Sequence, residues 1–381
     1  MRRNGKMKRI VKYIFPLLTA LGIIFLAGAH VYGAENDLAA ELGADRAGDG
    51  LSYDAADFLA ENNITPDSTE GVMALSPKTV IAYMWEKLKN SAAAPLKLAG
   101  MVFAIVIMSG ASYAAADAVN TPGGLKICRT VTVLTAVTIV IPKMESCINS
   151  VTTTLSAGGD FMLSYVPVFA GICAASGNMG ASAAYSGILL AAAEFAVRAA
   201  EKIIMPAASV CMAMHIIDAV NPDFSLSSLT GLIKKWCSLL MGFMMTIFTG
   251  LLSLQSLVGT AADTVGIKAA KFMVSNFVPV VGGAVAEAYS TMRSGLGMLK
   301  GAAGAFGIIA LLTVLLPPVL ETLCMYLVMT AGQAAAELFG QSELAGFFGG
   351  AASVLSIITA VIACFGVLFI VSTLIMMAVG V

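Results

Sequence analysis

The chain has 381 residues, 58% of them hydrophobic and only 12% charged, with a net charge of −1 and a mean hydropathy of +0.88. Soluble domains carry about 25% charged and about 45–50% apolar residues, so this composition excludes a water-covered globule. It equally excludes the basic surface that nucleic-acid binding requires. The seven cysteines are scattered without CxxC spacing and read as small apolar residues in or near membrane spans. With only His30 and His215 present, His-based catalysis has little material, and no catalytic residue, metal or cofactor is expected.

In chain order, residues 1–33 have the parts of a secretory signal peptide or anchor. Arg2, Arg3, Lys6, Lys8, Arg9 and Lys12 precede an apolar run from Ile14 to Ala27, and Gly33 or Ala34 offers a cleavage position. Residues 34–95 form an acidic segment placed outside the cytoplasm. Within it "SPKTVIAYMWEKLKN" predicts a helix capped by Ser76 and opened by Pro77. Its apolar face, with Trp85, points to a helix lying on the membrane surface. From Leu96 onward spans are expected at 96–116, 126–142, 181–198, 203–220, 236–258, 301–317, 319–337 and 350–379. Two further segments, 161–177 and 272–290, either cross or re-enter, giving seven to nine crossings.

Those two segments carry a repeated phrase. "FMLSYVPVFAG" (Phe161 to Gly171) matches "FMVSNFVPVVGG" (Phe272 to Gly283), and Pro206 aligns with Pro317 at the same offset of about 111. Spans with basic entries, Lys126/Arg129 and Lys234/Lys235, precede each copy. Both pairs read as cytoplasmic, which favours a parallel duplication. The expected organisation is a first span and loop (96–125), membrane repeat A (126–230), membrane repeat B (231–340) and a C-terminal membrane segment (341–381). The fold class is an all-α polytopic membrane protein with an internally duplicated core and broken or re-entrant helices.

Proline removes a helical donor, and freed carbonyls in lipid need protein or water as partners. Pro167, Gly171, Pro206, Pro279, Gly282, Gly283, Pro317 and Pro318 therefore mark helix breaks that either line a passage or are kinks packed against neighbours. The intramembrane charges Glu194, Arg198, Glu287 and Glu321 are functional candidates because buried charge is costly, though a neutralised pair or a loop-end position at the headgroups is the favoured explanation of each. They do not repeat between the copies: Ala175 stands opposite Glu287 and Val210 opposite Glu321. His215 and Asp218 share one helix face. "GLGMLKGAAGAFG" holds a GxxxG pair, Gly297 and Gly301, but Lys300 is followed by Gly301, so the phosphate-loop pattern fails.

The signal-like start, the short acidic segment, "VPVVGG" after "FMVSNF" and the "LLPP" run at 315–318 together resemble the stage III sporulation protein AE family of endospore formers. The resemblance implies a non-enzymatic, multi-pass subunit of the mother-cell membrane around the forespore. It would belong to a channel or secretion-like complex joining the two cells. Implied partners are other membrane and ring-forming subunits and a cytoplasmic ATPase, besides the lipid bilayer. The competing expectation is an independent secondary transporter with duplicated halves.

Overall fold

The computed structural model describes residues 44–48, 51, 53–66, 77–119, 123–221, 226–277 and 282–378. Pro279, within the second repeat phrase, lies outside these residues, as do the signal-like residues 1–33; the side chain of Glu287 is also outside the description. After a short 3-10 turn at Ala44–Gly48 come α1 (Tyr53–Glu61), α2 (Pro77–Val119), α3 (Gly124–Ala175) and α4 (Met179–Ala199). A π turn at Ala200–Ile204 leads into α5 (Met205–Val220), followed by α6 (Ser227–Phe277), α7 (Gly282–Leu338) and α8 (Ser342–Ala378). No strand occurs among the described residues.

Among the described residues six helical stretches are long and apolar enough to cross a membrane, where the sequence suggests seven to nine crossings. The difference arises because several expected pairs of spans are single helices. Segments 126–142 and 161–177 both lie in the 52-residue α3, and 301–317 and 319–337 both lie in the 57-residue α7. Residues 181–198 and 203–220 join through the π turn. The polar stretch 144–160 holds Gly158, Gly159 and Asp160, yet the hydrogen-bond ladder runs through it, and the missing Cβ of Gly158 admits the Phe365 ring of α8. A 52-residue helix is about 78 Å long, more than twice the roughly 30 Å of bilayer hydrocarbon. The helix expected on the membrane surface at 77–89 likewise continues through Pro95 into the first span as the 43-residue α2, because Pro95 interrupts the ladder without ending it.

Glycine makes two of the turns. Gly177 (φ 94°) and Gly340 (φ 69°) adopt the left-handed conformation just past a helix end. In each the following amide reaches five residues back, Asn178 N to Cys173 O (3.1 Å) and Gln341 N to Ala336 O (2.9 Å). This closes the last helical carbonyls without water. The turns after α2, α5 and α7 gather at one end of the bundle. There Gly123 and Lys126 border the same cavity as Val220 and Glu343. The α3–α4 turn lies at the other end. Helices α7 and α8 form the centre, with Phe347, Phe348, Ile358, Ile362 and Phe369 fully buried, whereas α6 is the most peripheral.

Candidate functional site

The first repeat phrase lies inside α3 and its buried positions are Phe161, Met162, Tyr165, Val166 and Phe169. Their spacing of four puts Phe161, Tyr165 and Phe169 on one helical face. Their rings stack in series, with centroids 5.4 Å apart at each step. Phe369 of α8 packs 5.6 Å from Tyr165, and Tyr185 of α4 meets Phe169 edge-on at 5.7 Å. The Tyr165 hydroxyl donates to the Ala303 carbonyl of α7 at 3.0 Å, and Tyr185 Oη lies 3.5 Å from Thr373 Oγ1. Four helices thus converge on this aromatic series.

The glycines of α7 make room for it. A Cβ on Gly307 would overlap the Tyr165 ring, and one on Gly304 would lie 2.5 Å from Met377 Sδ. Small residues here admit aromatic side chains between helices, as close helix contacts in membranes require. Gly297 and Gly301, the GxxxG pair, face open space instead.

Pro167 is exposed and points away from this cluster, and α3 runs through it without interruption. A proline on an outer face costs one ladder hydrogen bond and a local bend, and the neighbouring turns hold the helix together. Gly171 is half-buried, and a Cβ there would meet nothing within 4 Å. Pro317 and Pro318 sit well inside α7, Pro318 buried, again without ending the helix. Gly282 and Gly283 open α7. Pro206 does coincide with a departure from α geometry. It follows the π turn, where Met205 N–H reaches back five residues to Ala200 O. Pro206 offers no N–H of its own, so the ladder is loosened at this point.

The π turn presents Glu201 to α3, and Ser156 Oγ donates to its carboxylate at 2.5 Å. Glu321 of α7 lies within electrostatic reach of Lys143 on the same α3. Glu194 and Arg198 pair with each other, both largely exposed on the outside of α4. Along the outer face of α3, Pro142, Glu145, Ser146, Asn149, Ser150 and Thr153 line an open groove of about 530 Å³. His215 packs against Gly350 of α8, and Asp218 Oδ1 accepts the Leu226 amide at 2.7 Å, tying down the start of α6.

At the end with three turns, Arg129 of α3 pairs with Glu343 of α8 at 2.9 Å, the glutamate side chain only 11% exposed. The Arg129 guanidinium also lies 5.8 Å from the Tyr113 ring centre of α2. Gln341, fully buried, donates to the Val106 carbonyl at 2.9 Å. The Arg129–Glu343 pair borders a cavity of about 400 Å³ whose walls include Lys126, Thr130 and Ala219. The pairing partners are 214 residues apart, so no local pattern could have named them. The aromatic series, by contrast, was visible as Phe161, Tyr165 and Phe169 at four-residue spacing.

These features define an all-helical, multi-pass membrane protein in which polar groups such as Arg129, Glu343 and Gln341 join helix to helix. The stage III sporulation protein AE family profile matches residues 60–380, and the chain belongs to that family. It is similar to the stage III sporulation protein AE of Bacillus subtilis (strain 168), 21% identical over 276 residues, which cover 70% of this chain and 69% of that protein. No solved structure matches it.

Proposed function

We propose that this protein is a non-enzymatic membrane subunit of a multiprotein channel or secretion-like complex linking mother cell and forespore, needed for forespore development. The observation that carries the reading is membership of a sporulation family over nearly the whole chain. The helix-joining use of the polar groups, from Arg129–Glu343 to Ser156–Glu201, supports a scaffold or conduit role. Its partners would be other membrane and ring-forming subunits and a cytoplasmic ATPase, in the mother-cell membrane. The parallel sense of two hairpins, α3 with α4–α5 and α6 with α7, supports reading the core as duplicated halves. Cross-linking followed by affinity isolation from sporulating cells tests the proposal. Co-isolation of ring-forming membrane subunits is the expected result, and recovery of the chain without any such subunit would refute it.

The second reading, an independent secondary transporter, draws on Glu321, half-buried on α7 and within electrostatic reach of the exposed Lys143. Alanine at Glu194, Glu287 and Glu321 together separates the two. Loss of ion-coupled uptake in reconstituted vesicles favours transport, whereas normal sporulation with all three changes counts against it.

A further inference from the structure

We propose that the bilayer surrounds only the half of the bundle that carries the three gathered turns, and that the other half, built around the Phe161–Tyr165–Phe169 series, stands outside the membrane. Two belts of charge bound the first half. One lies at the turns, with Lys126, Arg129, Asp218, Lys234, Glu337 and Glu343. The other is a looser zone formed by Lys97, Lys143, Glu321 and, deepest, Lys202, whose neighbour Glu201 is bonded by Ser156, 13 residues past Lys143 on α3. Counted from contacts at the turns, Lys97 stands 13 residues from Gly110, which neighbours Phe339 and Gln341, Lys143 stands 14 from Arg129, the partner of Glu343, and Glu321 stands 17 from the end of α7, about 20–25 Å of helical rise. With the Lys side chains extending toward the headgroups, that interval approaches the roughly 30 Å of bilayer hydrocarbon. Between the belts none of the six membrane-length stretches contains an Asp, Glu, Lys or Arg.

The side chains exposed between the belts are those lipid would contact. Phe103, Ile107, Val131, Val210, Phe243 and Leu327 are all between 41% and 62% exposed, on five different helices. Beyond the second belt, the exposed large apolar side chains among the described residues are Trp85, Leu96, Leu163, Met179 and Phe195, with Leu251 and Leu254 on the peripheral α6. The outer face of α3 there turns polar, with Glu145, Ser146, Asn149, Thr153 and Asp160 exposed. A polar face of that length turned toward acyl chains would leave several hydrogen-bonding groups unsatisfied.

An independent contact agrees. The polar N-terminal region packs on the far half and not on the turn end. Ala47 is buried in the common core, and Gly48 approaches Phe306 of α7, whose ring lies 3.8 Å from its Cβ position. A segment rich in Asp and Glu cannot sit at bilayer depth, so the helices it covers are in water. The basic residues at the turns place that end in the cytoplasm and the far half outside it. The apolar composition of 161–175 and 301–312 then reflects burial inside a protruding helical bundle and not exposure to lipid.

The test uses the full-length protein in phosphatidylcholine vesicles whose acyl chains are brominated. In a Trp85→Phe, Trp236→Phe background, single tryptophans replace Phe243, Leu163 or Met179, all exposed positions. Bromolipid quenching several-fold stronger at Phe243→Trp than at Leu163→Trp and Met179→Trp, with aqueous acrylamide showing the reverse order, is expected. Equal bromolipid quenching at the three positions, or none at Phe243→Trp, would overturn the proposal. Circular dichroism of each variant confirms retained helix, and a variant that fails this check is replaced by Val131→Trp for the lipid band or Asn149→Trp for the far half.

Discussion

At the scale of single residues, side chains that cross between helices outweigh those that stand out in the sequence. Tyr165 is fully buried, stacks between two phenylalanines and donates to a backbone carbonyl of another helix. Tyr165→Phe keeps the ring and loses the hydrogen bond, and is expected to lower stability by about 1 kcal/mol. Gly307→Ala places a methyl against that ring and is expected to cost about 1–3 kcal/mol through overpacking. Thermal unfolding in detergent measures both, and the larger loss at Gly307→Ala is the discriminating outcome. Ser156→Ala removes a hydrogen bond to a carboxylate and is expected to cost about 1.5–3 kcal/mol, read in the same assay. For Arg129 with Glu343, the arginine side chain is 37% exposed, so solvent screening limits the pair to about 1–2 kcal/mol.

At the scale of elements, the prolines do less than their sequence setting implied. Pro167 faces outward in an uninterrupted helix, so Pro167→Ala restores an amide able to bond Leu163 O. The unfolding temperature of this variant is expected to stay unchanged or rise. A variant of retained stability that no longer assembles would assign Pro167 to a subunit contact, whereas a marked fall in unfolding temperature would contradict its outward placement. Pro206 is different because it adjoins the one π turn among the described residues, and that turn brings Glu201 to Ser156. Helical character and the identity of the apolar segments were legible from hydropathy alone. Their joining into helices of 51 to 57 residues was not, because an apolar window scores composition and cannot see that the polar stretch 144–160 keeps the same hydrogen-bond ladder.

At the scale of the whole molecule, the N-terminal segment is part of the fold. Phe58, Leu59 and Ile64 are buried, and Phe58 packs on Tyr83 with ring centres 4.0 Å apart. Each such side chain contributes about 1.5–3 kcal/mol when removed from water. Deleting residues 44–66 from the full chain is therefore expected to lower stability by several kcal/mol, visible as a lower unfolding temperature. An unchanged unfolding temperature would mean that the segment is not anchored to α7 and α3.

Composition by itself determined that this is a membrane protein, since too few charges exist to clothe it in water, and its order of motifs pointed to the sporulation family. The candidate intramembrane charges were also legible, because a charge in an apolar run is visible locally. Long-range partners were not: Lys143 comes within electrostatic reach of Glu321, Arg129 pairs with Glu343 and Ser156 donates to Glu201 only after distant helices pack, whereas the Glu194–Arg198 pair is local. The first copy of the phrase packs through the aromatic face of α3 and not through its proline and glycine. Tertiary structure decided this because helix phase sets which side of a residue row is buried, and only the neighbours of α3 reveal that Tyr165 faces inward while Pro167 faces out.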